Sequence, residues 1–185
     1  DNNSGLVGSE MCIRDSFYPA IHPLQSYSGD IGDLLDFWQD HNHPHWQAQR
    51  RRFLTLLEEQ TRLERMARIV GKDALPPRQQ HILLCAELIN DGFLRQSAFS
   101  DIDRYCSPQR QARMMQLLTR FIELSEQAIG QKVAFELIST LPILRRLRRM
   151  NEDIGEQDME QFEVLRSDME NAFSALTKQG AADAG

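Results

Sequence analysis

Apolar residues that recur at helical spacing constrain the fold of this chain more than any other feature of its sequence. Between Trp46 and Val70 they share one face, and arginines and glutamates occupy much of the remaining surface. This pattern predicts a long amphipathic helix that ends near Gly71, because glycine is common just past a helix C-terminus. The apolar face comprises Trp46, Phe53, Leu56, Leu57, Leu63, Met66, Ile69 and Val70.

Prolines and a capping serine mark the starts of the next two helices. Pro76 and Pro77 precede a second helix from about Arg78 to Asp91, and the short turn before it predicts an antiparallel αα-hairpin. At Ser107-Pro108 the serine suits an N-cap and the proline suits the first helical position. A third helix is therefore predicted to begin there.

The rest of the chain is also helical in pattern. Gly130 interrupts the third helix, a short helix covers about residues 132–139, another starts at Pro142, and an acidic helix covers about residues 157–178. No convincing strand alternation follows residue 30. The sequence therefore predicts an all-α fold: a C-terminal helical bundle of five to seven helices with a short irregular N-terminal stub.

The first residues stand apart from this pattern. Residues 6–16 read LVGSEMCIRDS, which resembles a translated sequencing adapter. We therefore expect residues 1–16 to be a disordered, adapter-derived segment outside the fold. Residues 17–32 are expected to be the tail of an upstream domain with a hinge, residues 33–178 the helical domain, and residues 179–185 a frayed tail.

Composition limits the possible partners. The formal net charge of −6 argues against wholesale nucleic-acid binding, and no apolar run is long enough to span a membrane. We therefore expect no nucleic-acid partner and no direct membrane insertion. Cys85 and Cys106 have no paired spacing and are predicted to be free thiols in a reducing compartment.

Three histidines lie close together in sequence and could bind zinc. However, Pro44 disrupts regular geometry between His43 and His45, and no cysteine or carboxylate completes a site with His41. The pattern favours a solvated loop before a helix, and no metal ligand is predicted.

Two further groups of side chains have a simpler structural explanation. Cys85 lies one turn from His81 but falls on the apolar side of its helix, so a core position is favoured over a nucleophile. The arginines of residues 145–149 could grip phosphate, but the acidic helix that follows is the simpler partner. No GxxxxGK[ST] phosphate loop is present, so no catalytic residue is predicted within this sequence.

The loop after the second helix offers the clearest candidate binding feature. Gly92 to Cys106 breaks the helical pattern, and a short polar step within this segment presents one aromatic residue, Phe99. Such a ring could stack on a nucleotide base, or it could fill a gap between helices.

Three segments, taken in order, resemble a known family. Residues 17–28, FYPAIHPLQSYS, are similar to the segment that leaves the nucleotide-binding domain of rotary ATPases. Residues 70–76, VGKDALP, look like the turn that touches the central stalk, and residues 91–99, DGFLRQSAF, look like the adenine-side loop. Across roughly residues 17–150 the chain resembles the C-terminal helical domain of the catalytic A subunit of V/A-type ATP synthases.

The F-type beta subunit is the nearest alternative family. It shares the Tyr-Pro-Ala opening, but the Phe37–Trp46 region and the Tyr105-Cys106 pair are more typical of the V/A type. His22 departs from both patterns. A stand-alone helical interaction module remains a third possibility, which a phosphate loop in the upstream reading frame would exclude.

The resemblance implies a role in an ATP-driven proton or sodium translocase that makes or hydrolyses ATP. It implies ATP or ADP with Mg, with the Mg ligands and the phosphate loop upstream of this sequence, so the chain alone should be inactive. It implies two partners, the central stalk and the B subunit of the hexameric head, in a cytoplasmic complex peripheral on the membrane. The adenine pocket would be formed by Tyr18, Gln96, Ser97, Ala98 and Phe99. The stalk would be contacted by Lys72, Asp73, Ala74, Leu75 and Pro76.

Overall fold

The predicted all-α fold is confirmed. The computed structural model describes residues 17–18, 36–39, 43–97, 102 and 106–183. Apart from one helical turn at residues 36–39, the described part contains six α-helices and a pair of two-residue strands. The helices are α1 (Trp46–Val70), α2 (Pro77–Ile89), α3 (Pro108–Gly130), α4 (Phe135–Ser139), α5 (Ile143–Asp153) and α6 (Glu160–Asp183), and the strands are β1 (Phe17–Tyr18) and β2 (Gln96–Ser97).

Helices α1 and α2 form the predicted hairpin. A short 3₁₀ turn, Lys72–Ala74, connects them after Gly71, whose φ of 89° lies in the region that glycine adopts without steric cost. Pro76 is the N-cap of α2 and Pro77 its first residue, as the sequence predicts. Between the two helices, a small separate core contains Leu63, Leu75 and Leu83.

Helix α3 lies at the centre of the main core. Ser107 caps it by accepting a hydrogen bond from the Arg110 backbone N–H (3.1 Å), which satisfies one donor that the first helical turn leaves unpaired. Phe121 of α3 meets Phe173 of α6 edge to face, with ring centroids 5.6 Å apart. The buried face of α5, including Leu147 and Met150, joins the same cluster.

The end of α3 explains why α4 starts later than predicted. Lys132 has a left-handed φ of 63° and its N–H bonds to Ile129 O, while the Val133 N–H bonds to Ala128 O. This hydrogen-bond pattern is a Schellman cap, and it stops the chain from continuing as a helix at residue 132. Helix α4 therefore begins at Phe135.

Helix α6 runs to Asp183, past the predicted end at residue 178, so its backbone is helical through most of the segment expected to fray. Residues 1–16 and 19–32 lie outside the described residues, and the expectations for them stay predictions. Within the described part, no helix combines the length and apolarity needed to cross a membrane.

Candidate functional site

The candidate site begins where α2 stops being an α-helix. After Ile89 the chain widens into one π-helical turn, Asn90–Leu94, closed by the Arg95 N–H bonding to Asn90 O (2.8 Å). Single π-helical turns of this kind are frequent at functional sites. The sequence predicted an ordinary helix to Asp91, because periodicity alone does not reveal one inserted residue.

Close packing against α5 accounts for glycine at the centre of this turn. A Cβ atom added at Gly92 would lie 2.3 Å from the carbonyl oxygen of Leu147. That distance is well inside van der Waals contact and the obstacle is backbone, which has little freedom to move. Gly92 therefore lets the π-helical turn lie directly against α5.

A chain of charged side chains joins this turn to the tip of the hairpin. Arg148 of α5 contacts both Glu87 of α2 (3.5 Å) and Asp91 of the π-helical turn (3.4 Å). Glu87 also accepts a hydrogen bond from Lys72 Nζ (2.7 Å), and this hydrogen bond and the charge of Glu87 raise the pKa of Lys72. The pairs are partly exposed, so each contributes roughly 0–1 kcal/mol and mainly fixes orientation.

The structure brings together two of the segments predicted to meet at adenine. Strands β1 and β2 pair antiparallel, with Tyr18 opposite Gln96 and Phe17 opposite Ser97. Segments far apart in sequence therefore lie side by side at the start of the predicted loop. Ala98 and Phe99 fall outside the described residues, so the approach of Phe99 to Tyr18 stays a prediction.

Two buried residues that sequence reasoning missed hold the backbone around this loop. Asn151 Nδ2 donates to Arg95 O (2.6 Å), and Arg110 donates to Ile102 O (3.1 Å). Arg110 also donates to Ile154 O (2.9 Å). A signal existed for Arg110, which lies on the same helical face as Met114 and Leu117, where an arginine is out of place unless it is paired.

The hairpin tip differs in one respect from the predicted stalk contact. The side chain of Leu75 is only 4% exposed because it packs into the hairpin core, so it supports the tip from inside. Lys72, Asp73, Ala74 and Pro76 are exposed.

The exposed apolar surface of this tip was also missed. Ile69 is 85% exposed and Val70 56% exposed, although the periodicity of α1 places both on its apolar face. Periodicity identifies a face but not how far along the helix a neighbour covers it. The tip therefore combines polar turn residues with two exposed β-branched side chains.

The comparison with protein families decides what kind of domain this is. The family described as the C-terminal domain of V and A type ATP synthase matches residues 35–139, more than half of the chain. This stretch contains the hairpin, the π-helical turn and α3. The chain belongs to this family. The match favours the V/A type over the F-type alternative.

Relatives of this V/A-type domain are longer proteins. The A subunit of the A-type ATP synthase of Thermococcus onnurineus is 34% identical over 90% of this chain, which spans 28% of that relative. The proteins of the same name from Pyrococcus abyssi and Staphylothermus marinus are 37% and 34% identical over 82% and 88% of this chain. The chain spans 16% and 27% of those two relatives.

The histidines of this V/A-type domain have different surroundings. The prediction of a solvated loop is wrong for His43, which is buried and donates from Nε2 to Gln49 Oε1 (2.6 Å), while its ring meets Trp38 edge-on. Burial lowers the pKa of His43, although the hydrogen bond to Gln49 acts in the opposite direction. His45 is exposed, and His41 lies outside the described residues.

Cys85 belongs to a buried polar cluster, in agreement with a core position. Its Sγ lies 3.2 Å from His81 Nε2, which lies 2.7 Å from Ser125 Oγ, and Ser125 donates its own hydroxyl to Phe121 O (2.8 Å). Burial raises the pKa of the Cys85 thiol well above its ordinary range. The reactive thiolate is therefore suppressed.

The arginines of α5 pair with several elements and not only with the acidic helix α6. Arg146 contacts Asp168 of α6 (2.5 Å), whereas Arg149 pairs with Asp153 of its own helix (3.0 Å). With Arg148 in contact with Glu87 and Asp91, these three arginines have acidic partners within the domain.

Proposed function

We propose that this chain is part of the catalytic A subunit of a V/A-type rotary ATP synthase. In that role it closes the adenine side of the nucleotide site and couples ATP hydrolysis or synthesis to rotation of the central stalk. The complete machine would be an ATP-driven proton or sodium translocase with its head on the cytoplasmic face of the membrane. The proposed partners are the central stalk and the B subunit.

The observation that carries the adenine role is the pairing of β1 with β2. Tyr18 and Gln96 stand opposite each other. Gln96 belongs to the loop that resembles the family's adenine side, and Tyr18, in the segment that resembles the exit from the nucleotide-binding domain, is predicted to pack on the base. An aromatic ring stacked on a base contributes roughly 1–3 kcal/mol to binding. Tyr18 and Phe99 supply these rings, and Gln96, Ser97 and Ala98 shape the space beside them.

The phosphates and Mg belong to another part of the catalytic polypeptide under this proposal. The described residues contain no group of three His, Cys, Asp or Glu side chains that could hold a metal ion. Under this proposal, this chain contacts the adenine base of the nucleotide. When MgATP is bound, the metal and phosphate groups supply the phosphoryl-transfer chemistry, and this chain orients the adenine.

The coupling role draws support from the hairpin. Its close-packed helices resist compression, and the contacts of Glu87 with Lys72 and with Arg148 join its tip to the turn before the adenine loop. Closing the helical domain on nucleotide would then swing the tip against the stalk by a hinge motion near residues 27–32. The exposed Ile69 and Val70 lie beside the predicted turn and would share the contact.

Nucleotide affinity of aromatic variants tests the proposal. In the full-length enzyme assembled with its partners, Phe99→Ala and Tyr18→Ala should each weaken ATP binding about 5- to 150-fold, the equivalent of one lost stacking contact. Val164→Ala, an exposed position on α6, is the control and should leave affinity unchanged. Unchanged affinity in both aromatic variants would exclude the adenine role.

A further inference from the structure

A buried arginine and a buried asparagine meet at the C-terminal end of α5. Arg110 is 0% exposed and Asn151 is 2% exposed. Arg110 Nε donates to Ile154 O (2.9 Å), and an Nη group donates to Asn151 O. Both acceptors are carbonyls at the end of α5, where the helix dipole favours a positive charge.

The same two side chains reach the two ends of one loop. Arg110 Nη1 donates to Ile102 O (3.1 Å), and Asn151 Nδ2 donates to Arg95 O (2.6 Å). Arg95 precedes Gln96, and Ile102 follows Phe99 and Asp101. The segment predicted to shape the adenine pocket is thus bracketed by two contacts that converge on a single turn of α5.

The residue types at this junction are better suited to fixing the position of the loop backbone than to adding stability to the fold. Burying a guanidinium is costly, and a well-packed apolar residue at such a position is often as stabilising. The rigid fork of arginine, however, holds several acceptors at fixed relative positions, which lysine cannot do. The Oδ1 atom of Asn151 is buried without a hydrogen-bond partner, so its side-chain amide acts here only as a donor, through Nδ2.

We propose that Arg110 and Asn151 are positioning residues of the nucleotide site, clamping the backbone at Arg95 and at Ile102 against the end of α5. This inference rests on the function proposed above. The clamp sets the place from which the loop meets the base, and neither residue contacts the nucleotide itself. Loss of the clamp should therefore weaken nucleotide binding and leave the chemical step intact.

The variant Asn151→Asp tests the clamp with almost no change in shape. A carboxylate cannot donate to Arg95 O, so amide hydrogen exchange in residues 95–102 should become faster in the full-length assembled enzyme. The KM for ATP should rise about 2- to 10-fold, the range expected for one lost hydrogen bond, with kcat unchanged. Arg110→Lys keeps the charge but loses the fork, and it should shift exchange and KM in the same direction.

Leu63→Ala is the matched control, because Leu63 is fully buried but belongs to the separate hairpin core. It should destabilise the domain without selectively loosening residues 95–102. Unchanged loop exchange in Asn151→Asp, or faster exchange with an unchanged KM, would overturn the inference. The proposed function would still stand if Phe99→Ala or Tyr18→Ala raised KM in the same assay, and it would fail as well if neither variant had an effect.

Discussion

At the scale of single residues, close packing and burial restrict which residue type can occupy a position. Gly92 is required by the backbone of α5, because no side-chain atom fits between its Cα and Leu147 O. His81 is buried in the core beside Ser125 and Cys85, and burial lowers its pKa. Each of these residues makes a separate, measurable contribution to stability.

The variant Gly92→Ala should destabilise the domain. Overpacking typically costs about 1–3 kcal/mol, and here the added methyl group meets backbone, which has little room to yield. Urea unfolding measures the loss. Gly130→Ala is the control, since nothing lies within 4 Å of its added Cβ atom. It should be neutral or slightly stabilising, and equal losses in the two variants would contradict this explanation.

Acidification should weaken the fold through His81. Desolvation by burial lowers its pKa below 6.5, opposed by the charge of Glu126 and assisted by that of Arg52. Between the lowered pKa of the folded state and 6.5, the unfolded chain therefore binds more protons at this histidine than the folded chain does. The contribution of His81 to the free energy of unfolding is fully present above pH 6.5 and is lost as the pH falls through this window. His43, whose pKa is also lowered by burial, acts in the same direction.

The variant His81→Gln isolates this contribution. The difference in unfolding free energy between about pH 7.5 and about pH 5.5, obtained from urea titrations, should be smaller in His81→Gln than in the unmodified chain. His45→Gln, at an exposed position, should preserve most of the difference, because the charge of His45 is only a minor cause of the lowered pKa of His43. An identical pH dependence in all three proteins would show that His81 is not held neutral by the fold.

At the scale of elements, the proposed coupling role requires the hairpin to move as one unit. Helix α1 is 25 residues long, and its last turn leaves Ile69 and Val70 uncovered beside the 3₁₀ turn. Leu75 ties that turn to α1 and α2 by packing against Leu63 and Leu83. A displacement of the helices therefore moves the turn with them, as force transmission to a stalk requires.

Lengthening the turn tests this transmission. Glycines inserted between Lys72 and Pro77 should reduce the ion transport or rotation obtained per ATP hydrolysed, because a flexible turn absorbs the displacement. Nucleotide affinity should change little, since the loop proposed to contact adenine begins at the other end of α2. Coupling ratio and ATP affinity are measured on the same assembled complex, and a parallel loss of both would contradict the separation of the two roles.

At the scale of the whole molecule, the sequence predicts those features that are decided locally. The starts of α2 and α3 follow from Pro77 and Ser107, whose effects reach only one turn. The π-helical turn, the burial of Arg110 and the burial of Leu75 depend on partners distant in sequence. No local pattern encodes the approach of Leu147 to Gly92, so the π-helical turn could not be predicted from the sequence. The apolar helical face around Arg110 indicates that this arginine is buried and paired, but not which distant groups it pairs with.

Some parts of the candidate site could likewise be predicted from the sequence, and others could not. Its segments were found from the order of short motifs, and the pairing of Tyr18 with Gln96 agrees with their proposed convergence. The acceptors of the Arg110 and Asn151 clamp could not be predicted, because they are backbone carbonyls, which every residue carries. The sequence indicated only that Arg110 should be buried and paired. His43 was misjudged for a related reason, since its burial depends on the ring of Trp38.

The proposed contact of this chain with adenine is tested most directly by photolabelling the assembled full-length enzyme with 2-azido-ATP. The labelled peptides are then identified by mass spectrometry. The azide reports which side chains surround the adenine ring. We predict labelling at Tyr18 or within residues 96–99, and protection of these residues by excess ATP. Labelling confined to other parts of the complex, with both of these segments unmodified, would contradict this prediction.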